Sequence, residues 1–152
     1  EKVIPVADII TPNQFELGFI TGTEPVTLDD VLASADLARA MGPSIVLVTS
    51  VDQPDRPADT IEMLAVTDDG AWIVQTPKLP MKANGSGDIT AALFTAHLHA
   101  TGSPAEALAR TASSVFAVLK TTLESGEREL RLIAAQDAIA DPACEFEVRQ
   151  VR

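Results

Sequence analysis

Five residues, Asn84-Gly85-Ser86-Gly87-Asp88, stand directly before an amphipathic stretch of helical character. Gly85 and Gly87 lack a Cβ, so the backbone there can turn tightly and come close to a ligand. The N–H groups of the first helical turn would then point at one spot, with the positive end of the helix dipole behind them. This makes an anion hole suited to phosphate, supplied by Gly85, Ser86 and Gly87. Asp88, in the same turn, would sit beside a bound phosphate, where it could accept the proton of an attacking hydroxyl. The plainer alternative is a helix start with a favourable acid in its first turn, because short Gly-rich turns before helices are common.

Two more features bear on that choice. Asn13 and Glu16 lie three apart at the start of a helix that follows a strand. Residues at that spacing share a helix face, so both could reach one Mg²⁺ through its waters. Ordinary helix-start chemistry would explain the pair equally well. Val48-Thr49-Ser50 falls at the carboxyl end of a buried strand, where open α/β sheets bind ligands. Other chemistries lack their residues. There is no Gly-x-Ser-x-Gly elbow, no Cys-x-x-Cys and no Walker-type loop. His97 and His99 are two apart on a helix and face different directions, which is wrong for a shared metal. Cys144 has no nearby His to activate it. Asp68-Asp69 reads as turn chemistry and Trp72 as sheet packing.

The elements that must carry these residues alternate in type. Residues 7–10 form a short strand candidate running into Thr11-Pro12-Asn13-Gln14, where Thr11 is expected as helix cap, Pro12 as first helical residue and Gln14 as completion of a capping box. Gly18 and Gly22 should break that helix. A second helix opens at Thr27, with Leu28, Val31, Leu32, Ala35 and Ala38 on one face, and ends at Gly42-Pro43. Residues 44–49 are a continuous β-rich run, as expected for a strand buried on both faces. Residues 51–59 read as a loop. Residues 61–67 and 71–76 flank Asp68-Asp69-Gly70, a hairpin signal. After an irregular stretch over 77–86, a long helix is expected from about 87 to 100, with Ile89, Ala92, Leu93 and Ala96 inward. Ser103-Pro104-Ala105-Glu106 opens another, with Leu108, Ala112, Val115, Phe116 and Leu119 on its face. A helix over 129–139 and an edge strand over 146–151 complete the chain. The pattern is α/β.

Composition narrows the partners. The 152 residues are 46% hydrophobic, enough for a real core, and carry 11 Lys and Arg against 22 Asp and Glu, a net charge of −11. That balance argues against nucleic acid and against an anionic membrane. Aromatics at 4% give no stacking platform for bases. No apolar run approaches the ~20 residues that span a bilayer. A single cysteine permits no intrachain disulfide and suits a reducing cytoplasm. The chain opens Glu1-Lys2-Val3-Ile4-Pro5, without Met or a signal pattern, so it is expected to start inside a longer polypeptide.

The chain resembles the C-terminal half of bacterial-type pyridoxal kinases, within the ribokinase-like superfamily. The resemblance rests on Ala7-Asp8-Ile9-Ile10-Thr11-Pro12-Asn13-Gln14-Phe15-Glu16-Leu17, on residues 45–49, on Asn84-Gly85-Ser86-Gly87-Asp88 and on Ala134-Ala135-Gln136-Asp137. It implies a three-layer sandwich with a mainly parallel sheet, of which this chain is the C-terminal portion and the N-terminal half is absent. It also implies ATP-dependent phosphorylation of the 5′-hydroxymethyl group of pyridoxal to pyridoxal 5′-phosphate, in vitamin B6 salvage, by a cytoplasmic homodimer. By position, Asp88 would be catalytic base and substrate contact, and Gly85, Ser86 and Gly87 the anion hole. Asn13 and Glu16 would organise Mg²⁺ and the phosphates, and Thr11 and Thr49 would contact ATP. Thr76, Pro77, Lys78 and Leu79 would form a nucleotide-side segment. Two positions depart from the family. Ser86 stands where Thr, Val or Ala is commoner, which spares a backbone anion hole. Thr49 stands where bacterial relatives often carry Lys, leaving Lys78 or Lys82 to supply the charge.

A nearer rival is hydroxymethylpyrimidine kinase, or another small-alcohol kinase of the superfamily, whose pocket residues would lie mainly in the missing half. A different class of answer is a non-catalytic nucleotide- or pyridoxal-phosphate-binding module. Half a sheet would expose a raw strand edge, so such a chain is expected to dimerise or aggregate.

Overall fold

The computed structural model describes residues 3–81 and 83–152. Glu1 and Lys2, at the opening of the chain, and Lys82, one of the two expected phosphate-side cations, lie outside the described residues. The element order is β1 (Ile9–Ile10), α1 (Gln14–Thr21), α2 (Leu28–Arg39), β2 (Ile45–Val51), β3 (Thr60–Val66), β4 (Ala71–Pro77), α3 (Ser86–Thr101), α4 (Pro104–Ser125), α5 (Gln136–Ala140) and β5 (Val148–Gln150).

The five strands form one sheet in sequence order, β1-β2-β3-β4-β5. The fold is α/β, but its sheet is mixed rather than mainly parallel. Only β1 and β2 run parallel, and the remaining pairs are antiparallel. Connection length explains this. A parallel crossover needs about a dozen residues or more. Helix α2 provides one between β1 and β2, whereas residues 52–59 and 67–70 can only turn the chain back. The second of these is the expected hairpin, closed by Thr67 N–H donating to the Gly70 carbonyl at 2.9 Å.

Strand β2 shows why its sequence is apolar throughout. Val46 and Val48 pack on one side with Leu17 of α1 and Val31, Leu32, Ala35 and Ala38 of α2. Leu47 packs on the other with Phe94 of α3 and Ala107, Leu108 and Ala112 of α4. Helices thus cover both faces in three layers. Each large apolar side chain so buried contributes about 1.5–3 kcal/mol.

Several local expectations shift. Asn13, not Thr11, caps α1, and Glu16 rather than Gln14 closes the capping box. Pro12 therefore lies outside the helix. Gly18 stays inside α1, and Gly22 ends it in the left-handed conformation. Helix α3 buries Thr90 and Phe94 and leaves Ala92 and Ala96 exposed. The large Phe94 ring sets the rotation, since the alanines bring little area, and the Thr90 hydroxyl is satisfied by donating to the Ser86 carbonyl at 2.8 Å. Ser103 caps α4, but the Glu106 carboxylate pairs with Arg110 instead of returning to the cap. The helix expected over 129–139 shrinks to α5, Gln136–Ala140. Before it, Arg131 N–H donates to the Thr122 hydroxyl of α4 at 3.0 Å, which holds this stretch in turns. Strand β5 is likewise only Val148–Gln150.

Candidate functional site

Strand direction places the candidate residues. Because β3 returns antiparallel between β2 and β4, the carboxyl ends of β1, β2 and β4 lie at one edge of the sheet. Thr11 follows β1, Thr49 lies near the end of β2, and Thr76 and Pro77 end β4. Both α1 and α3 start from that edge, each following one of these strands. Parallel pairing of β1 with β2 and the hairpin return of β4 together bring the expected segments to one side of the molecule.

The start of α1 is tightly built. Glu16 N–H donates to Asn13 Oδ1 and Asn13 N–H donates to Glu16 Oε2, both at 2.8 Å. The pair is therefore a reciprocal cap, and one carboxylate oxygen of Glu16 is committed to it. Thr49 N–H donates to the Pro12 carbonyl at 3.0 Å, which ties the end of β2 to the Thr11-Pro12-Asn13 turn. Asp52 N–H donates to Gln14 Oε1 at 2.8 Å. Lys78 joins the same side: its N–H donates to the Asp59 carbonyl at 2.7 Å, and its Nζ lies 3.8 Å from Asp52. Thr76 is buried, Leu79 half-buried, and Pro77 and Lys78 are exposed. The structure thus brings together Thr11, Asn13, Glu16, Thr49 and the Thr76–Leu79 segment.

The start of α3 is built in the opposite way. Side chains of Asn13, Thr27 and Ser103 cap α1, α2 and α4, whereas α3 has no side-chain cap. Its N-cap is Gly85 at φ +84, a left-handed conformation that favours glycine. Ser86, Gly87 and Asp88 form the first turn, where backbone N–H groups lack an intrahelical partner. A Cβ at Gly87 would meet nothing within 4 Å. Asp88 is exposed. No hydrogen bond or ion pair among the described residues joins this turn to the Asn13–Glu16 cap, so the two parts share an edge but not a contact.

The remaining candidates stay outside the site. His97 has a buried Nε2 without a hydrogen bond. Its pKa lies below the usual imidazole value, because of burial first and the nearby Arg110 second. Among the described residues no group of three or more His, Cys, Asp or Glu could hold a metal ion. Cys144 is exposed and unpaired by disulfide. An open groove of ≈970 Å³ runs along α1 past Phe15, Phe19 and Pro25 to Ser50 and Asp52. It touches the cap at Asn13 but does not include Gly85, Gly87 or Asp88, so its size does not make it the reaction centre. Sequence reading missed Gln14 and Asp52 as the stitches of this edge, since both act through contacts distant in sequence.

Comparisons with known proteins were made on the whole chain. A family model described as phosphomethylpyrimidine kinase matches residues 1–132. Over 151 residues the chain is 66% identical to "Pyridoxal kinase PdxY" of Leifsonia xyli subsp. xyli, covering 99% of this chain and 53% of that relative. Among solved structures, it matches a pyridoxal kinase from Leishmania donovani in complex with ADP at TM-score 0.88 and 23% identity, covering 99% of this chain and 54% of the other. It matches Plasmodium falciparum PdxK with ligands AMP-PNP and PL at TM-score 0.85 and 25% identity, covering 99% and 52%. The chain spans about half the length of the curated relatives it matches.

Proposed function

Because the chain belongs to the phosphomethylpyrimidine kinase family, we propose that it is the phosphoryl-transfer part of an ATP-dependent kinase acting on the 5′-hydroxymethyl group of pyridoxal. The observation that carries this reading is the uncapped start of α3, with Gly87 facing open space and Asp88 exposed beside it. The 66% identity to a pyridoxal kinase supports pyridoxal as the acceptor.

In this reading the N–H groups of Ser86 and Gly87, with the Gly85 turn behind them, hold the transferring phosphoryl group. Such preorganised donors stabilise charge that develops in the transition state. The pyridoxal hydroxyl oxygen forms the new bond to the γ-phosphorus, the bond to the bridging oxygen breaks, and ADP leaves. Asp88 takes the hydroxyl proton. Thr11, Thr49 and the Thr76–Leu79 segment line the nucleotide side, where the Lys78 ammonium supplies positive charge. For Mg²⁺, Asn13 and Glu16 offer too few oxygens for a protein cage, and one Glu16 oxygen already serves the cap. The pair fits a hydrated ion held mainly by the ATP phosphates, as Mg²⁺ usually is. When bound, Mg²⁺ neutralises charge on those phosphates. We assign the intact protein to the cytoplasm as a homodimer. Among the described residues no helix is long and apolar enough to cross a membrane.

Hydroxymethylpyrimidine is the competing acceptor, favoured by the description of the matching family. The test offers both acceptors with ATP to the intact polypeptide, upstream residues included, alongside Asp88→Asn. Pyridoxal should turn over, and Asp88→Asn should lower turnover by about 10²–10⁴-fold while nucleotide still binds. Preference for the pyrimidine would reassign the acceptor. Nucleotide binding without turnover of either would leave a binding module, and full activity of Asp88→Asn would remove the base.

A further inference from the structure

Glu62 is a charged residue in the otherwise apolar middle of the sheet, and its side chain is 2% exposed. On its own face it keeps company with Leu64, Val66 and Ile73. The Gln53 amide donates to its Oε2. Its Oε1 has no hydrogen-bond partner among the described residues, with Arg56 Nε at 3.4 Å and Arg149 Nη2 at 4.0 Å. Such a placement gains little stability. Desolvation of a buried carboxylate offsets most of its attraction to cations, and an apolar residue of similar size is often as good or better. A buried oxygen without a hydrogen bond adds a further cost.

What Glu62 does hold is the loop over 52–59. Gln53 and Arg56 are the inner side of that loop. Its ends are the stitches already described, with Asp52 bonded to Gln14 and paired with Lys78, and Asp59 bonded to the Lys78 backbone. The loop therefore spans from the first turn of α1 to the segment after β4, and Glu62 grips it at the middle.

We propose that Glu62 is a positioning residue for the nucleotide: through Gln53 and Arg56 it fixes the 52–59 loop, and with it the Asp52–Lys78 pair on the nucleotide side of the site. This rests on the kinase reading above, for which Lys78 lies on that side. Glu62 touches no substrate. Its effect is on where Lys78 stands, so it acts on nucleotide affinity and leaves the proton transfer at Asp88 alone.

The experiment uses the intact polypeptide with Glu62→Met, Glu62→Gln and Arg56→Ala, titrated with Mg·ADP and assayed for turnover. Glu62→Met and Arg56→Ala should weaken Mg·ADP binding and raise KM for ATP by about ten-fold, the scale of one lost charge-assisted hydrogen bond. The acceptor KM and kcat should stay within about two- to three-fold, as expected for a loss of uniform binding. Glu62→Gln keeps an acceptor for Gln53 and should recover part of the affinity. Arg56 is partly exposed, so its variant keeps the test valid if Glu62→Met fails to fold. Wild-type nucleotide affinity in Arg56→Ala and in every folded Glu62 variant overturns the proposal. So does a parallel loss in kcat and both KM values. If the unaltered protein binds no Mg·ADP, the kinase reading itself fails and takes this proposal with it, an outcome distinct from normal binding that the variants leave unchanged.

Discussion

Gly85 and Gly87 sit two apart in one turn, yet the chain needs them for different reasons. At Gly85 the backbone has φ +84, and a side chain there would be strained by about 1–3 kcal/mol whatever the ligand. At Gly87 the φ is not positive and the space beside it is empty. Alanine at a helical position is favoured over glycine by roughly 0.5–1 kcal/mol, so nothing inside the described chain accounts for glycine at 87. Close approach of a phosphoryl group to the N–H groups would account for it. Gly87→Ala should therefore leave the melting temperature equal or slightly higher while lowering kcat/KM for ATP by at least about ten-fold. Thermal denaturation and steady-state kinetics on the same preparation check both halves. Full activity with raised stability would show that no ligand passes there.

Asn13 raises the matching question for an element, because its side chain already has an occupation as the cap of α1. Asn13→Ala should cost about 1 kcal/mol of stability through the lost cap. Asn13→Ser keeps a capping oxygen and should stay within about 0.5 kcal/mol of the original, since Ser and Asn cap about equally well. If Asn13 also faces the nucleotide phosphates, the Ser variant should lose activity while keeping its melting temperature. A Ser variant normal in both would leave the residue a cap alone. The pair at 13 and 16 was visible in the sequence because a capping box has a fixed spacing. Its register was not, since Thr11, Asn13 and the following Pro12 and Gln14 offer two overlapping boxes, and only the contact between Pro12 and Thr49 places the first turn. Strand β2, helix α2 and the hairpin were legible because their signals are local: a double-faced apolar run, a 3.6-residue stripe, an Asp-Asp-Gly turn. The face of α3 was not. Its alanines suit any orientation, and the one large ring, Phe94, decides it by what α4 and the sheet present. Glu62 could have been flagged as a charge inside Ile61-Glu62-Met63-Leu64, but its partners Gln53, Arg56 and Arg149 come from a loop and a distant strand.

At the scale of the whole molecule, two opposing surface properties decide how the 152-residue chain behaves by itself. Phe15 is 82% and Phe19 84% exposed, one helical turn apart on α1, and grooves flank them on both sides. Strand β1, next to them, pairs only with β2, so its other edge is free. An apolar ridge beside an unpaired edge is a surface that favours association, and each Phe ring buried would contribute about 1.5–3 kcal/mol. Against this stands the net charge of −11, which keeps copies apart over about 10 Å at 0.1 M salt. Contact between the rings is short-ranged and unaffected by screening, whereas the repulsion weakens as salt rises. The chain expressed alone should therefore self-associate, and more strongly at high salt than at low. Sedimentation velocity at two ionic strengths reads this directly. Phe15→Glu with Phe19→Glu should return it to a monomer at both, because the substitution removes the ridge and adds repulsion at the same place. A monomer at high salt without those changes would mean that the ridge and edge are tolerated in water as they stand, and that the fold is stable without anything laid against α1.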